Sequence, residues 1–170
     1  STVRAELLDI LKLAGATVIM VTHDREEALG SADHLMVMSS GRMIQSGRPR
    51  EVYERPVTLE AAKLLGDGNV LPCTVRDERA DSILGSFAAP GVEDGACRMF
   101  VRSEHLRQCS SGEITVRVTA ASFFGHDALA SLELTDGACL SMRQFEETLP
   151  EPGDEIRISI NGPVAFFPPA

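Results

Sequence analysis

Val18-Ile-Met-Val-Thr-His-Asp-Arg-Glu-Glu-Ala-Leu29 is the stretch that decides how the first part of the chain is read. Its opening residues belong to a run, Ala16 to Val21, that is apolar and rich in β-branched side chains. That composition suits a short strand buried on both faces of a parallel sheet. Such a strand delivers His23 to its carboxyl edge, where open α/β sheets bind ligands. On position alone, a single histidine there serves either as a structural hydrogen-bonding residue or as a ligand contact. Asp24 and Glu27 form the D-x-x-E pattern of a capping box, so a helix is expected to start near Arg25 and end around Ser31 to Ala32. Upstream, Val3, Leu7, Leu8, Ile10, Leu11 and Ala14 recur at helix spacing, and Gly15 stands where a helix C-terminal glycine belongs. Downstream, Leu35 to Met38 and Met43 to Gln45 flank Ser39-Ser-Gly-Arg42 and predict a hairpin, with Gly41 free to take positive φ. Pro49 suits a helix first turn and Pro56 its end, and Leu59 to Leu65 predicts a last short helix closed by Gly66.

At Gly66 the texture changes. Residues 1–66 carry 8 basic and 9 acidic side chains, net −1, whereas residues 67–170 carry 8 and 16, net −8. The predicted domains are therefore 1–66 and 67–170. Strands are expected at Asn69–Arg76, Ile83–Phe87, Cys97–Arg102, Glu113–Ala121, Ala128–Leu134, Cys139–Arg143, Glu155–Ile160 and Val164–Phe167. The turns between them hold Asp94-Gly95, Asp136-Gly137, Pro152-Gly-Asp154 and Asn161-Gly-Pro163. Turn signals at that spacing point to a small barrel or sandwich. The sequence shows no internal repeat and no low-complexity tract. Among 170 residues only 5% are aromatic, with no Trp, and the net charge is −9, which argues against a nucleic-acid binder that relies on a basic face and stacking rings. No apolar run approaches the ~20 residues of a membrane-spanning helix, and the start carries no charged-then-apolar secretion signal. Cys73, Cys97, Cys109 and Cys139 form no C-x-x-C pair and are read as free thiols of a reducing compartment.

Four runs together resemble the C-terminal end of an ABC-transporter ATPase subunit. They are Val21-Thr-His-Asp-Arg-Glu-Glu-Ala-Leu29, Ala32-Asp-His-Leu-Met-Val-Met38, Gly41-Arg-Met-Ile-Gln-Ser-Gly47 and Glu51-Val-Tyr-Glu-Arg-Pro56. The resemblance covers residues 1–66 and implies an α/β fragment of the nucleotide-binding domain. In that family the histidine of the V-T-H-D switch contacts the γ-phosphate of ATP and helps position the attacking water. His23 inherits both the catalytic and the nucleotide-contact role by this match. An imidazole suits it, because one ring nitrogen can donate to a phosphate oxygen while the other is held by a neighbour. Asp24 and Glu27 are read as helix caps. No Gly-Lys pair occurs anywhere, so the phosphate loop G-x-x-x-x-G-K-[ST] is absent. Also absent are a hydrophobic run ending in Asp-Glu to hold magnesium and an L-S-G-G-Q signature. The expectation is a fragment beginning just after the catalytic carboxylate, inactive alone, with ATP and Mg as cofactors only of the intact subunit. The family implies a homodimer of ATPase subunits working on transmembrane permease subunits, cytoplasmic and peripheral on the inner face of the plasma membrane. The Ala16–Val21 strand, without its sheet neighbours, is expected to drive dimerisation or strand exchange through residues 1–66.

Residues 67–170 resemble the accessory TOBE domain, an all-β oligomer-binding-like fold. The match rests on Gly68-Asn-Val-Leu-Pro72, on Phe100-Val-Arg-Ser-Glu-His-Leu-Arg107 with Ser103 where proline is usual, and on Ser122-Phe-Phe-Gly-His-Asp-Ala-Leu129. The ending Ile160-Asn-Gly-Pro-Val-Ala-Phe-Phe-Pro168 is similar to the tail of ferric-iron importer ATPases, which makes ferric iron the expected cargo. Spermidine or putrescine, sulfate and sugar importers share the upstream motifs. Phe123, Phe124, Phe166 and Phe167 are expected in the core, and His126-Asp127 is read as a turn pair rather than a metal site. The alternative to a transport ATPase is a non-enzymatic oxyanion- or metal-sensing or dimerisation β-module, with Arg102, Arg117 and His126 as candidates for an effector site.

Overall fold

A computed structural model describes residue 6, residues 10 and 11, residues 13–145 and residues 150–169. Most of the helix expected over Val3 to Ala14, and the acidic pair Glu146-Glu147, lie outside the described residues. The chain divides into two compact units, Ser1–Pro56 and Val57–Ala170.

In the first unit, the Ala14 N–H donates to the Ile10 carbonyl at 3.0 Å and the Ala16 N–H to Leu11 at 3.1 Å, while Gly15 takes φ +65°. A bond reaching back five residues over a left-handed glycine is the Schellman closure of a helix C-terminus, as the sequence predicts. The stretch after it departs from expectation. Residues 16–22 form no strand, and Ile19 and Val21 are 80% and 95% exposed. All strand pairing recorded among the described residues is antiparallel. The reading of Ala16–Val21 as a parallel-sheet strand is thus corrected: such a strand needs hydrogen-bonded neighbours and covered faces, and the described residues supply neither. α1 (Arg25–Ser31) follows, then the hairpin of β1 (Leu35–Ser39) and β2 (Arg42–Gly47) and α2 (Pro49–Glu54), which packs against both α1 and β2. Leu35, Val37 and Val52 are buried.

The second unit begins with α3 (Leu59–Leu65), capped by Thr58, whose hydroxyl accepts the Ala61 N–H at 3.1 Å. Ten strands follow in two five-stranded antiparallel sheets. One has the order β12-β6-β3-β4-β5, built from β3 (Gly68–Arg76), β4 (Arg79–Ser82), β5 (Gly85–Ala88), β6 (Gly95–Arg102) and β12 (Val164–Phe167). The other, β10-β9-β8-β11-β7, comprises β7 (Leu106–Gln108), β8 (Ile114–Phe123), β9 (Ala128–Glu133), β10 (Cys139–Gln144) and β11 (Glu155–Ile160). The second sheet curls until β10 lies against β7 and the short 3-10 turn Ser103–His105, giving the barrel-like form expected of this half. Alternation fixes the faces: Leu71, Cys73 and Val75 of β3, Ala130 and Leu132 of β9, and Ile156 and Ile158 of β11 all enter one shared core. β6 is buried on both faces at its end. Met99 and Val101 face the inter-sheet core, while Phe100 joins Ala62 of α3 and Phe167 in a second cluster. This packing is why α3 belongs with the β unit.

Two sequence expectations move. The strand expected at Ile83–Phe87 is interrupted, because Ile83-Leu84 is the turn between β4 and β5. The Ser82 hydroxyl accepts the Leu84 N–H at 3.1 Å and donates to the Gly85 carbonyl at 3.2 Å, so a side chain takes over turn bonding there. Phe123 and Phe124 are 68% and 55% exposed rather than in the core, while Phe167 is buried as expected.

Candidate functional site

Around the switch sequence, local chemistry forms the cap that was predicted, with an added participant. Asp24 is the N-cap of α1, its Oδ1 accepting the Glu27 N–H at 3.0 Å. The reciprocal half of a capping box would bring the Glu27 carboxylate to the Asp24 N–H. Instead the Thr22 hydroxyl accepts that N–H at 3.0 Å and donates to Glu27 Oε2 at 2.7 Å. Thr22, Asp24 and Glu27 are therefore committed to shaping the turn. His23 sits between them, exposed, its ring left on the surface of a turn that its neighbours hold. This chain contributes an accessible imidazole on a fixed turn, but no glycine-rich phosphate loop. The residues present do not by themselves fit ATP with magnesium.

The β unit disperses the other candidates. Arg102 on β6 is 4% exposed and its Nη1 donates to the Ala62 carbonyl of α3 at 3.2 Å, with the guanidinium 5.3 Å from the Phe100 ring centre. Arg117 lies in the other sheet, exposed on β8 and in register with Glu133 on one side and Glu155 on the other. His126 occupies the tight β8–β9 loop, where Gly125 takes φ +89° and the Phe124 N–H donates to the Asp127 carbonyl at 2.8 Å. Arg117 and the end of β8 at Phe123 are six residues apart, roughly 20 Å along an extended strand. Arg102, Arg117 and His126 thus do not converge.

One polar cluster escaped the sequence reading. Asp127, with its side chain 4% exposed, faces Arg143 Nε across 2.9 Å and His126 Nε2 across 3.6 Å. Its Oδ1 is buried without a hydrogen-bond partner. The His-Asp pair was visible in sequence as a turn; the arginine from β10 was not, because nothing in local spacing places Arg143 opposite the loop. The Arg143 Nε likewise has no hydrogen-bond partner, so Asp127 and Arg143 meet as an ion pair between the loop and β10. Among the described residues, no group of three or more His, Cys, Asp or Glu side chains is placed to hold a metal ion, and no helix is long and apolar enough to cross a membrane.

Residues 99–167 match the TOBE domain family. The chain is 35% identical, over 96% of its length, to Fe(3+) ions import ATP-binding protein FbpC 2 of Rhodococcus jostii (strain RHA1), of which it covers 49%. It is 36% identical over 94% of its length to spermidine/putrescine import ATP-binding protein PotA of Ruegeria pomeroyi, of which it covers 48%. A solved structure of the cytoplasmic molybdate-binding protein ModG, with molybdate bound, has a TM-score of 0.49 at 18% identity, covering 59% of this chain and 96% of that one. The chain spans about half the length of the curated relatives it matches. It is homologous to the ATP-binding subunits of ABC importers, over a region that includes a TOBE domain at residues 99–167.

Proposed function

We propose that this chain works as part of the ATP-hydrolysing subunit of an ABC importer for ferric iron. The observation that carries the reading is near-complete alignment of the chain with Fe(3+) import ATP-binding proteins, at 35% identity over 96% of its length. The switch turn supports it: Thr22, Asp24 and Glu27 hold the backbone on both sides of His23 and leave the imidazole accessible. In the whole subunit, ATP with magnesium supplies the phosphoryl group and its charge neutralisation. His23 then offers a ring N–H toward a phosphate oxygen, a contact worth most where water is excluded. The phosphate loop comes from outside this sequence, so residues 1–170 alone have no ATPase activity. Two such subunits pair and drive transmembrane permease subunits from the cytoplasmic face of the membrane. The exposed segment around Val18 to Val21 is the surface through which residues 1–66 associate. The β unit acts as an accessory domain.

A second reading is favoured by a specific observation, the 36% identity to a spermidine/putrescine import protein. The two are separated by placing this chain in the aligned region of the Rhodococcus jostii Fe(3+) import protein and, separately, of the Ruegeria pomeroyi spermidine/putrescine import protein, each in cells that keep the matching permease and lack its ATP-binding subunit. Uptake of labelled ferric iron by the first chimera, without uptake of labelled spermidine by the second, supports the iron reading. Spermidine uptake alone replaces it with the polyamine one. Uptake of neither, with both chimeras folded and hydrolysing ATP, overturns both cargo assignments.

A further inference from the structure

We infer that Cys73 and Cys97 form a latent disulfide site, two free thiols placed directly opposite each other on β3 and β6. The inference does not depend on the transport reading. Just beyond the last paired residues, Gly68 and Arg102, the Ser103 N–H donates to the Asp67 carbonyl at 3.3 Å. Hydrogen-bonded and non-hydrogen-bonded pairs alternate along an antiparallel ladder. Counting from Asp67 and Ser103, the pairs Asn69–Val101, Leu71–Met99 and Cys73–Cys97 are therefore the hydrogen-bonded ones. Pro72, which has no N–H to give, falls on a pair that asks for none. Hydrogen-bonded pairs place their Cα atoms about 5.5 Å apart, inside the roughly 4.4–6.8 Å that a disulfide spans, while their Cβ atoms stand up to about 5.5 Å apart and must draw in to about 4.5 Å for the bond to close.

The side chains agree with the backbone. Both cysteines point into the inter-sheet core, 6% and 7% exposed. Burial, then hydrogen bonding to Cys97 and its charge, push the Cys73 thiol up to about 12. Cys97 Sγ in turn donates to the Phe167 carbonyl of β12 at 3.1 Å. The groove of about 780 Å³ on this sheet opens at Pro72, Thr74, Asp81 and Arg98, on the face opposite the two thiols, so an oxidant reaches the sulfurs only through local opening of the sheet.

With hydrogen peroxide the chemistry closes in two steps. One sulfur attacks a peroxide oxygen, forming a sulfenic acid and releasing one water. The second thiol then attacks that sulfur, expels the hydroxyl as a second water, and leaves the S–S bond. Two thiols are oxidised by two electrons in total and one peroxide is reduced to two waters. Because Cys73 stays protonated at neutral pH the reaction is slow, so the pair is reduced at rest and closes under sustained oxidation. The bond would tie β3 to β6 at the centre of their sheet.

The test uses the C109S/C139S variant, which removes the two thiols outside the buried pair, together with the unsubstituted protein. After peroxide treatment of the folded protein, thiols titrated in denaturant should fall from two to none in the variant, with the chain two hydrogens lighter. Tryptic digestion should show the peptide of residues 64–76 linked to that of residues 80–98. In the unsubstituted protein the same linked peptide should form, and C73S or C97S should abolish it. Free thiols at Cys73 and Cys97 after exposure that fully oxidises Cys139 would overturn the inference. So would a linked peptide that joins Cys73 or Cys97 to any other cysteine instead.

Discussion

Glu78 holds a backbone conformation that side chains avoid. It and Asp77 take φ +59° and +50° as the two central residues between β3 and β4, the dihedral signature of a type I′ hairpin turn. Glycine is favoured at the second of these positions, and a left-handed residue with a Cβ costs roughly 1–2 kcal/mol. Glu78→Gly is therefore expected to stabilise the β unit by about 0.5–1 kcal/mol once the added freedom of the unfolded chain is subtracted, seen as a higher urea midpoint at unchanged slope. Arg143 acts in the opposite sense. Its removal strands the Asp127 carboxylate in the interior, and breaking a buried pair from one side costs about 3–5 kcal/mol. Arg143 itself is 35% exposed, so Arg143→Ala should cost about 2 kcal/mol. Arg143→Lys should recover part of it in the same denaturation measurement. Cys73 contributes a pH dependence. Its thiol moves from an ordinary 9.0 to about 12 in the folded protein. The folded state thus binds the proton more tightly than the unfolded state. The associated stability is fully present below pH 9 and is lost as pH rises from about 9 toward 12. Cys73→Ala should flatten that alkaline fall, read from unfolding midpoints across this range.

Asn69 shows how one side chain joins two elements. Its amide accepts the Ser141 N–H at 2.7 Å and donates to the Ser141 carbonyl at 2.9 Å, so a side chain on β3 imitates a strand neighbour for the open edge of β10. Ser103 and Ser141 hydroxyls meet beside it at 2.9 Å. Asn69→Ala leaves two backbone groups of a half-buried strand without partners, and should cost about 2–4 kcal/mol at about 1–2 kcal/mol per stranded group. Hydrogen exchange should show the loss first at the Ser141 amide. At this scale much of the β unit was legible. Leu71, Cys73 and Val75, or Ile156 and Ile158, repeat at the period of a strand with one face inward, and the Asp-Gly and Pro-Gly turns bound them. β4 was not legible, because Arg79-Ala-Asp-Ser82 offers only Ala80 to the core and the turn before it lacks glycine. The strand foreseen at Ala16–Val21 shows the converse. Apolar, β-branched composition states a propensity, but a parallel strand forms only where a neighbour pairs with it and its faces are covered. The exposed Phe123 and Phe124 likewise could not be told from core aromatics, since their orientation is set by the tight loop at Gly125.

For the whole molecule, composition drew a boundary at Gly66 and packing draws one at Pro56, because Ala62 on α3 lies on the Phe100 and Phe167 cluster of the β unit. Charge is carried by the surface, while the division into units is decided by which apolar faces meet. The candidate site was legible in the same partial way. The cap at Asp24 followed from its spacing to Glu27, whereas His23 was singled out by the end of the expected strand and by resemblance to the V-T-H-D switch. The scatter of Arg102, Arg117 and His126 over two sheets depends on strand order, which sequence spacing does not encode. His23 is proposed to serve ATP hydrolysis once the rest of the subunit supplies the phosphate loop. The direct measurement is steady-state ATP turnover by the chimera in which this chain replaces the aligned region of the Rhodococcus jostii Fe(3+) import protein. Residues 1–170 alone should stay at background. The chimera should turn over ATP, and His23→Ala should lower its kcat by roughly 100-fold or more, the scale of losing one preorganised donor. Equal turnover by the chimera and its His23→Ala variant would overturn that role for His23.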